Sequence, residues 1–155
     1  MQLPDIFNQN SPVIVQKQIQ ELLLFNDDSK RYGLTITPQN ALEIIQERNL
    51  TLRNVGRIEL SMDVTKKMIE TFCPSAYILQ ENYVSTLIEL QEIFYDLKNE
   101  TEDSIPDDDL IKVMYTYFEK DCEGNLDYLK SSYLDQLAQA LIRKNQTDDF
   151  MQGDE

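Results

Sequence analysis

The chain has no histidine and no tryptophan. Without histidine there are no Ser–His or Cys–His nucleophile pairs, no imidazole general base and no His-ligated metal. Any catalysis would rest on carboxylates, Lys, Tyr or Arg, which favours a non-catalytic protein over an enzyme. Glycine is held to 4 and proline to 5 of 155 residues, too few for a turn-rich β architecture. The two cysteines, Cys73 and Cys122, form no CxxC, so neither a zinc site nor a redox pair is signalled. Each reads as a buried, inert thiol. No apolar run approaches the roughly 20 residues that span a bilayer. The first residues, MQLPDIFNQNSP, lack the basic region of a secretory signal, so the cytoplasm is the expected compartment. There is no Gly-rich phosphate loop, no GxSxG and no dinucleotide fingerprint, so no cofactor is implied.

Positive charge is scarce as well. There are 14 basic residues against 28 acidic ones, a net charge of -14. Residues 1–60 hold six basic and seven acidic residues, a net of -1, which leaves -13 for the rest. Acidity of that strength disfavours nucleic acid and anionic membranes as partners. It suits a basic or mixed protein partner, a divalent cation, or solubility alone.

What is present is helical periodicity. From Gln80 to Lys98, at about 100° per residue, Tyr83, Leu87, Leu90, Phe94 and Leu97 fall on one stripe. Val84, Ile88 and Tyr95 widen it on one shoulder and Ile93 on the other, which marks a central helix with neighbours on more than one side. Ser11-Pro12 opens a first helix carrying Val15, Ile19, Leu22 and Leu23, with Ser11 as cap. A polar connection closes at Gly33, Thr37-Pro38 caps a second helix to about Leu52, and Gly56 stops it. Asp63 caps a third helix that ends at Cys73-Pro74. Pro106 and Asp107–Asp109 open a fifth helix, with Leu110, Met114, Tyr117 and Phe118 inward. Gly124-Asn125 breaks it before a sixth with Leu126, Leu129, Tyr133, Leu137 and Leu141. Leu34–Ile36 reads as a short extended run and Arg57–Leu60 alternates like a short strand; the two could pair as a two-stranded ribbon over the helices, a pairing the sequence leaves open. The fold class is therefore mostly α: a compact bundle of about six helices around residues 80–98. The expected organisation is a loosely ordered arm (1–10), one helical domain (11–143) and a disordered acidic tail (144–155).

Four clusters are candidates for chemistry. Arg48, Arg53 and Arg57 form the only basic cluster, and guanidiniums hold carboxylate or phosphate bidentately. The same residues also suit a salt-bridge network locking a helix to its following loop. Glu119, Asp121, Glu123 and Asp127 alternate around Gly124 much as the oxygens of a calcium loop do. Lys130, however, stands where the bidentate carboxylate belongs, and an acidic turn gives the same pattern. Asp103 with Asp107, Asp108 and Asp109 could bind a divalent cation, or could simply favour the positive end of a helix dipole. Tyr95, Tyr115 and Tyr128, off the main stripes of their helices, suit a protein interface or the boundary of a core.

The segments GLTITPQNALEIIQERN (Gly33 to Asn49), VGRIEL (Val55 to Leu60), FCPSAYILQENY (Phe72 to Tyr83) and EIFYDLKNET (Glu92 to Thr101) resemble a family of short acidic proteins from low-GC Gram-positive bacteria, classified as a domain of unknown function. The resemblance covers most of the chain, Ile14 to Ile142. It implies a small bacterial cytoplasmic protein and brings no activity, cofactor or site residue. The expectation is a non-catalytic interaction or adaptor protein, meeting a basic or mixed partner through an acidic helical surface and exposed tyrosines. The alternative is a small-ligand-binding protein or carboxylate-based enzyme, with an anion at Arg48, Arg53 and Arg57 or a cation at Glu119–Asp127. The oligomeric state is left open.

Overall fold

The order of elements follows from where the chain places its caps and stops. In the computed structural model residues 10–133, 139 and 143 are described. The helices are α1 (Pro12–Leu23), α2 (Asn26–Ser29), α3 (Pro38–Asn54), α4 (Asp63–Phe72), α5 (Gln80–Glu100), α6 (Asp107–Lys120) and α7 (Leu126–Tyr128). A 3₁₀ turn over Lys30–Tyr32 extends α2, and a π-helical turn over Leu129–Tyr133 extends α7. Among the described residues there is no strand, so the fold is mostly α as the periodicity requires. Among the described residues no helix is long and apolar enough to cross a membrane. The expected arm (1–10, save Asn10), the outer part of the sixth helix at Leu137 and Leu141, and the tail (144–155) lie outside the described residues.

By its contacts the chain divides into two units, residues 1–92 and 93–155, with α5 contributing to both. The first unit holds α1 to α4 and the first half of α5. Thr37 caps α3 in a reciprocal box: its hydroxyl accepts the Asn40 N–H and the Asn40 side chain accepts the Thr37 N–H, each at 3.0 Å. Gly56, at φ +75°, turns the chain out of α3, and the Arg57 N–H closes the end on the Leu52 carbonyl at 2.8 Å. Ser11 stands at the N-cap of α1 with Pro12 following, as read, while the Asp63 cap reading is corrected. The Ser11 hydroxyl makes no cap bond, although the Ser11 carbonyl accepts the Val15 N–H. Asp63 is the first helical residue rather than the cap, and its N–H donates to the Ser61 hydroxyl.

The core of this unit draws on α3 (Ala41, Ile44, Ile45, Leu52), α4 (Met68, Ile69, Phe72) and α5 (Tyr83, Leu87, Leu90), all buried. A buried polar seam crosses it. The Thr65 hydroxyl donates to Gln91 Oε1 at 2.6 Å, and Gln91 Nε2 donates to the Ile44 carbonyl at 3.4 Å, joining α4, α5 and α3.

In the second unit Phe94, Leu97, Leu110, Ile111, Met114 and Phe118 are buried. Tyr95, read as an interface or core-boundary residue, is buried at 1 % exposure, its ring edge-on to Phe94 with centroids 5.0 Å apart. The connection from α5 to α6 closes on Lys98, itself buried. Its ammonium donates to the Ile105 carbonyl at 2.6 Å and lies 2.7 Å from Asp107 and 3.9 Å from Asp103.

The ribbon left open by the sequence does not form, and what takes its place is specific. Leu34–Ile36 and Arg57–Leu60 run extended, as their alternation requires, yet neither pairs with a strand. Side-chain amides stand in for the missing ladder. Asn26 accepts the Ile36 N–H at 2.8 Å and donates to the Ile36 carbonyl at 2.9 Å. Gln80 makes the same reciprocal pair with Thr35, both bonds at 2.8 Å. The Arg57–Leu60 segment is held by Gln18, whose Nε2 donates to the Leu60 carbonyl at 2.8 Å, and by Arg48.

Candidate functional site

Arg48 is 1 % exposed. Its Nη1 donates to Asn49 Oδ1 at 2.9 Å, and its Nη2 donates to the Glu59 and Ser61 carbonyls at 2.6 and 2.7 Å. The guanidinium is thus engaged within the fold, bracing the segment after α3. Arg53 is exposed in the last turn of α3 and Arg57 is half-buried beyond Gly56. The three arginines share a stretch of chain but not one exposed face.

The acidic turn is laid out as a helix stop. Gly124, at φ +80°, donates its N–H to the Phe118 carbonyl at 2.9 Å, and Cys122 donates to Tyr117. The Asn125 side chain then accepts the Tyr128 N–H at 2.9 Å and caps α7. Asp121, Glu123 and Asp127 are exposed and Glu119 is half-buried, with its Oε1 buried and unbonded. Among the described residues no three His, Cys, Asp or Glu side chains are gathered to hold a metal ion. Asp103 and Asp107 face the Lys98 ammonium, and Asp108 and Asp109 are exposed in the first turn of α6.

A recess lies elsewhere, in the first unit. A cleft of about 370 Å³ opens between α2 with its 3₁₀ turn and the last turn of α4. Phe25, Ile69, Cys73 and Pro74 line it, and Asp28, Ser29, Arg31, Tyr32 and Glu70 complete the lining. Local chemistry builds each wall. Gly33, at φ +79°, ends the 3₁₀ turn, and the Ser29 hydroxyl donates to the Leu34 carbonyl at 2.8 Å. Arg31 is held over the Tyr32 ring, 5.4 Å from its centroid, while its Nε donates to the Asp28 carbonyl at 3.2 Å. Opposite, Pro74 stops α4 and the Cys73 thiol sits against the Glu70 carbonyl.

The electrostatics of the cleft favour holding over reacting. Burial pushes the Cys73 thiol above its ordinary pKa, with the Arg31 charge opposing as a smaller effect. A thiol kept protonated at neutral pH is a poor nucleophile. Deeper in the unit, burial pushes Tyr83 up to about 12, and a side-chain bond from Ser29 opposes it. The cleft therefore presents a mixed polar and apolar lining, an aromatic lip and both signs of charge. Tyr32 on the cleft is 44 % exposed, and further along the chain from Pro74 Tyr77 is 41 % and Leu79 52 % exposed.

The sequence model described as "Family of unknown function (DUF6323)" matches residues 21–148. The chain belongs to that family. Its span takes in both walls of the cleft, the Arg48 brace and the acidic turn. No curated protein and no solved structure matches the chain.

The cleft was not among the sequence candidates. Its walls come from residues about forty positions apart, and no local periodicity joins them. The one signal available was the pair of stops, Tyr32-Gly33 and Cys73-Pro74, each set beside an aromatic or sulfur side chain.

Proposed function

We propose that the protein is a non-catalytic interaction or adaptor protein, acting in the bacterial cytoplasm, that docks a segment of a partner protein through the cleft of its first unit. The observation that carries this reading is the cleft itself. A floor of Phe25, Ile69, Cys73 and Pro74, room for one anchoring side chain, is bordered by exposed Tyr32 and by polar groups and charges of both signs, and Tyr77 and Leu79, exposed as well, follow a few residues beyond Pro74 in the chain. Aromatic residues bordering a desolvated pocket are the usual seat of binding energy at protein interfaces. A partner fitting it carries an apolar side chain beside a basic residue, to meet the walls and the carboxylates of Asp28 and Glu70. The net charge of -14 adds a long-range attraction for such a partner.

A small apolar ligand carrying a carboxylate is the second reading, since Arg31 borders the same cleft. Capture from host lysate with tagged wild type and with Tyr32→Ala/Tyr77→Ala, at low and high salt, separates the two. Docking predicts a protein retained by the wild type at low salt, reduced at high salt and lost with the double variant. Retention of the same proteins by both forms would refute docking at this cleft. A melting shift with small carboxylates, absent in Arg31→Ala, would favour the ligand.

A further inference from the structure

The segment after α3 shows a second surface, independent of the cleft. Ile58 is 78 % exposed and Leu60 is 45 % exposed. The backbone beneath them is fixed from the interior: Arg48 donates to the Glu59 and Ser61 carbonyls and Gln18 donates to the Leu60 carbonyl. The Ile58 N–H and C=O take part in none of the hydrogen bonds of the described residues. A fully buried arginine thus holds rigid a short extended stretch that faces solvent with isoleucine and leucine. Pre-ordering of this kind lowers the entropy cost of association.

We propose that this stretch is a self-association edge, on which two copies of the chain pair residues 57–59 antiparallel about a twofold axis at Ile58. In an antiparallel hydrogen-bonded pair, two opposed residues exchange both N–H···O=C bonds. Ile58 opposed to Ile58 of the second copy meets that requirement with a donor and acceptor that have no partner among the described residues. In this register Arg57 lies opposite Glu59 of the second copy, and Glu59 opposite its Arg57. Opposite charges directly across a pair are favourable and like charges are unfavourable. Moving the axis to Glu59 would set glutamate against glutamate, so charge selects the Ile58 register. The stretch is its own complement, which is why a second copy is the occupant. The location also suits two acidic chains, because residues 1–60 carry a net charge of only -1.

Sedimentation velocity and light scattering at low ionic strength, over a hundredfold range of concentration, test this directly. The expected mass rises from 18.1 kDa toward twice that value. Arg57→Glu and Glu59→Arg, each alone, place like charges across both ion pairs and should stay monomeric at concentrations where the wild type dimerises. Mixed in equal amounts they should recover the dimer, since one variant then carries glutamate and the other arginine at both positions. Ile58→Pro, which removes the central N–H, should abolish pairing. A wild type that keeps the monomer mass at every concentration would overturn the proposal without recourse to any variant. Single variants that dimerise like the wild type, or a mixture that stays monomeric beside a dimeric wild type, would overturn it equally.

Discussion

Replacing Arg48 by methionine keeps most of the apolar stem and removes the guanidinium. At least three charge-assisted hydrogen bonds disappear with it: one to the Asn49 side chain and one each to the Glu59 and Ser61 carbonyls. At about 1.5–3 kcal/mol each the gross loss is about 5–9 kcal/mol. Two effects offset it. The carbonyls belong to a stretch that water reaches, and a buried charge no longer has to be desolvated. The expected net cost is about 2–4 kcal/mol. Arg48→Lys is the sharper test. Lysine keeps the charge, but its ammonium ends short of the Nη2 position and cannot present the planar fork. A buried ammonium left without its carbonyls should cost at least as much as methionine. If Arg48 instead served as an anion ligand, lysine would be the milder change. Urea unfolding followed by far-UV circular dichroism, with slope and midpoint both fitted, gives the comparison. Stability within about 1 kcal/mol of wild type for Arg48→Met, or a clearly milder Arg48→Lys, would refute the brace.

Leu87→Ala and Phe94→Ala, both at positions with 0 % exposure, should each cost about 2–5 kcal/mol in the same assay, and wild-type melting in either would contradict its burial. Asn26→Asp can still accept the Ile36 N–H but sets a carboxylate against the Ile36 carbonyl; it should cost as much as Asn26→Ala, about 1–3 kcal/mol, and a neutral outcome would show that the amide pair does not replace a strand. Tyr83 has a folded pKa of about 12 against about 10 unfolded, so its contribution is complete below pH 10 and is lost as pH rises through 12, by about 3 kcal/mol in all. Tyr83→Phe should therefore flatten the fall in stability across that alkaline window, and an unchanged slope would contradict the burial of the phenol. Lys98→Met leaves Asp103 and Asp107, both partly solvated, without the ammonium, and should lower stability by about 1–3 kcal/mol, less at high salt if the ion pairs matter.

The helices were legible in the sequence because their signals are local. Thr37-Pro38, Gly33, Gly56 and Pro74 act within a few residues of themselves, and the stripe from Tyr83 to Leu97 needs only the helical period. The ribbon stayed open in the sequence because an alternating run announces an extended backbone without saying what bonds it. The partners here are amides and a guanidinium from Gln18, Asn26, Arg48 and Gln80, and nothing near Leu34 or Arg57 in sequence marks them. Arg48 looked like a cation at a helix end, and only the tertiary fold turns it inward. Tyr95 looked like a shoulder residue, but a helix buried over so wide an arc leaves no exposed shoulder there. The cleft was illegible for the same reason as the amide pairs. Its two walls, near Tyr32 and near Cys73, are brought together by packing alone.

Docking at the cleft is tested most directly by a photo-crosslinking phenylalanine analogue placed at Tyr32, on the lip, with the same group at the equally exposed Tyr128 as a control. Irradiation in host lysate should yield one discrete adduct from position 32, suppressed by salt, and none of that mass from position 128. Identical adducts from both positions, or none from position 32, would contradict a docking site at the cleft.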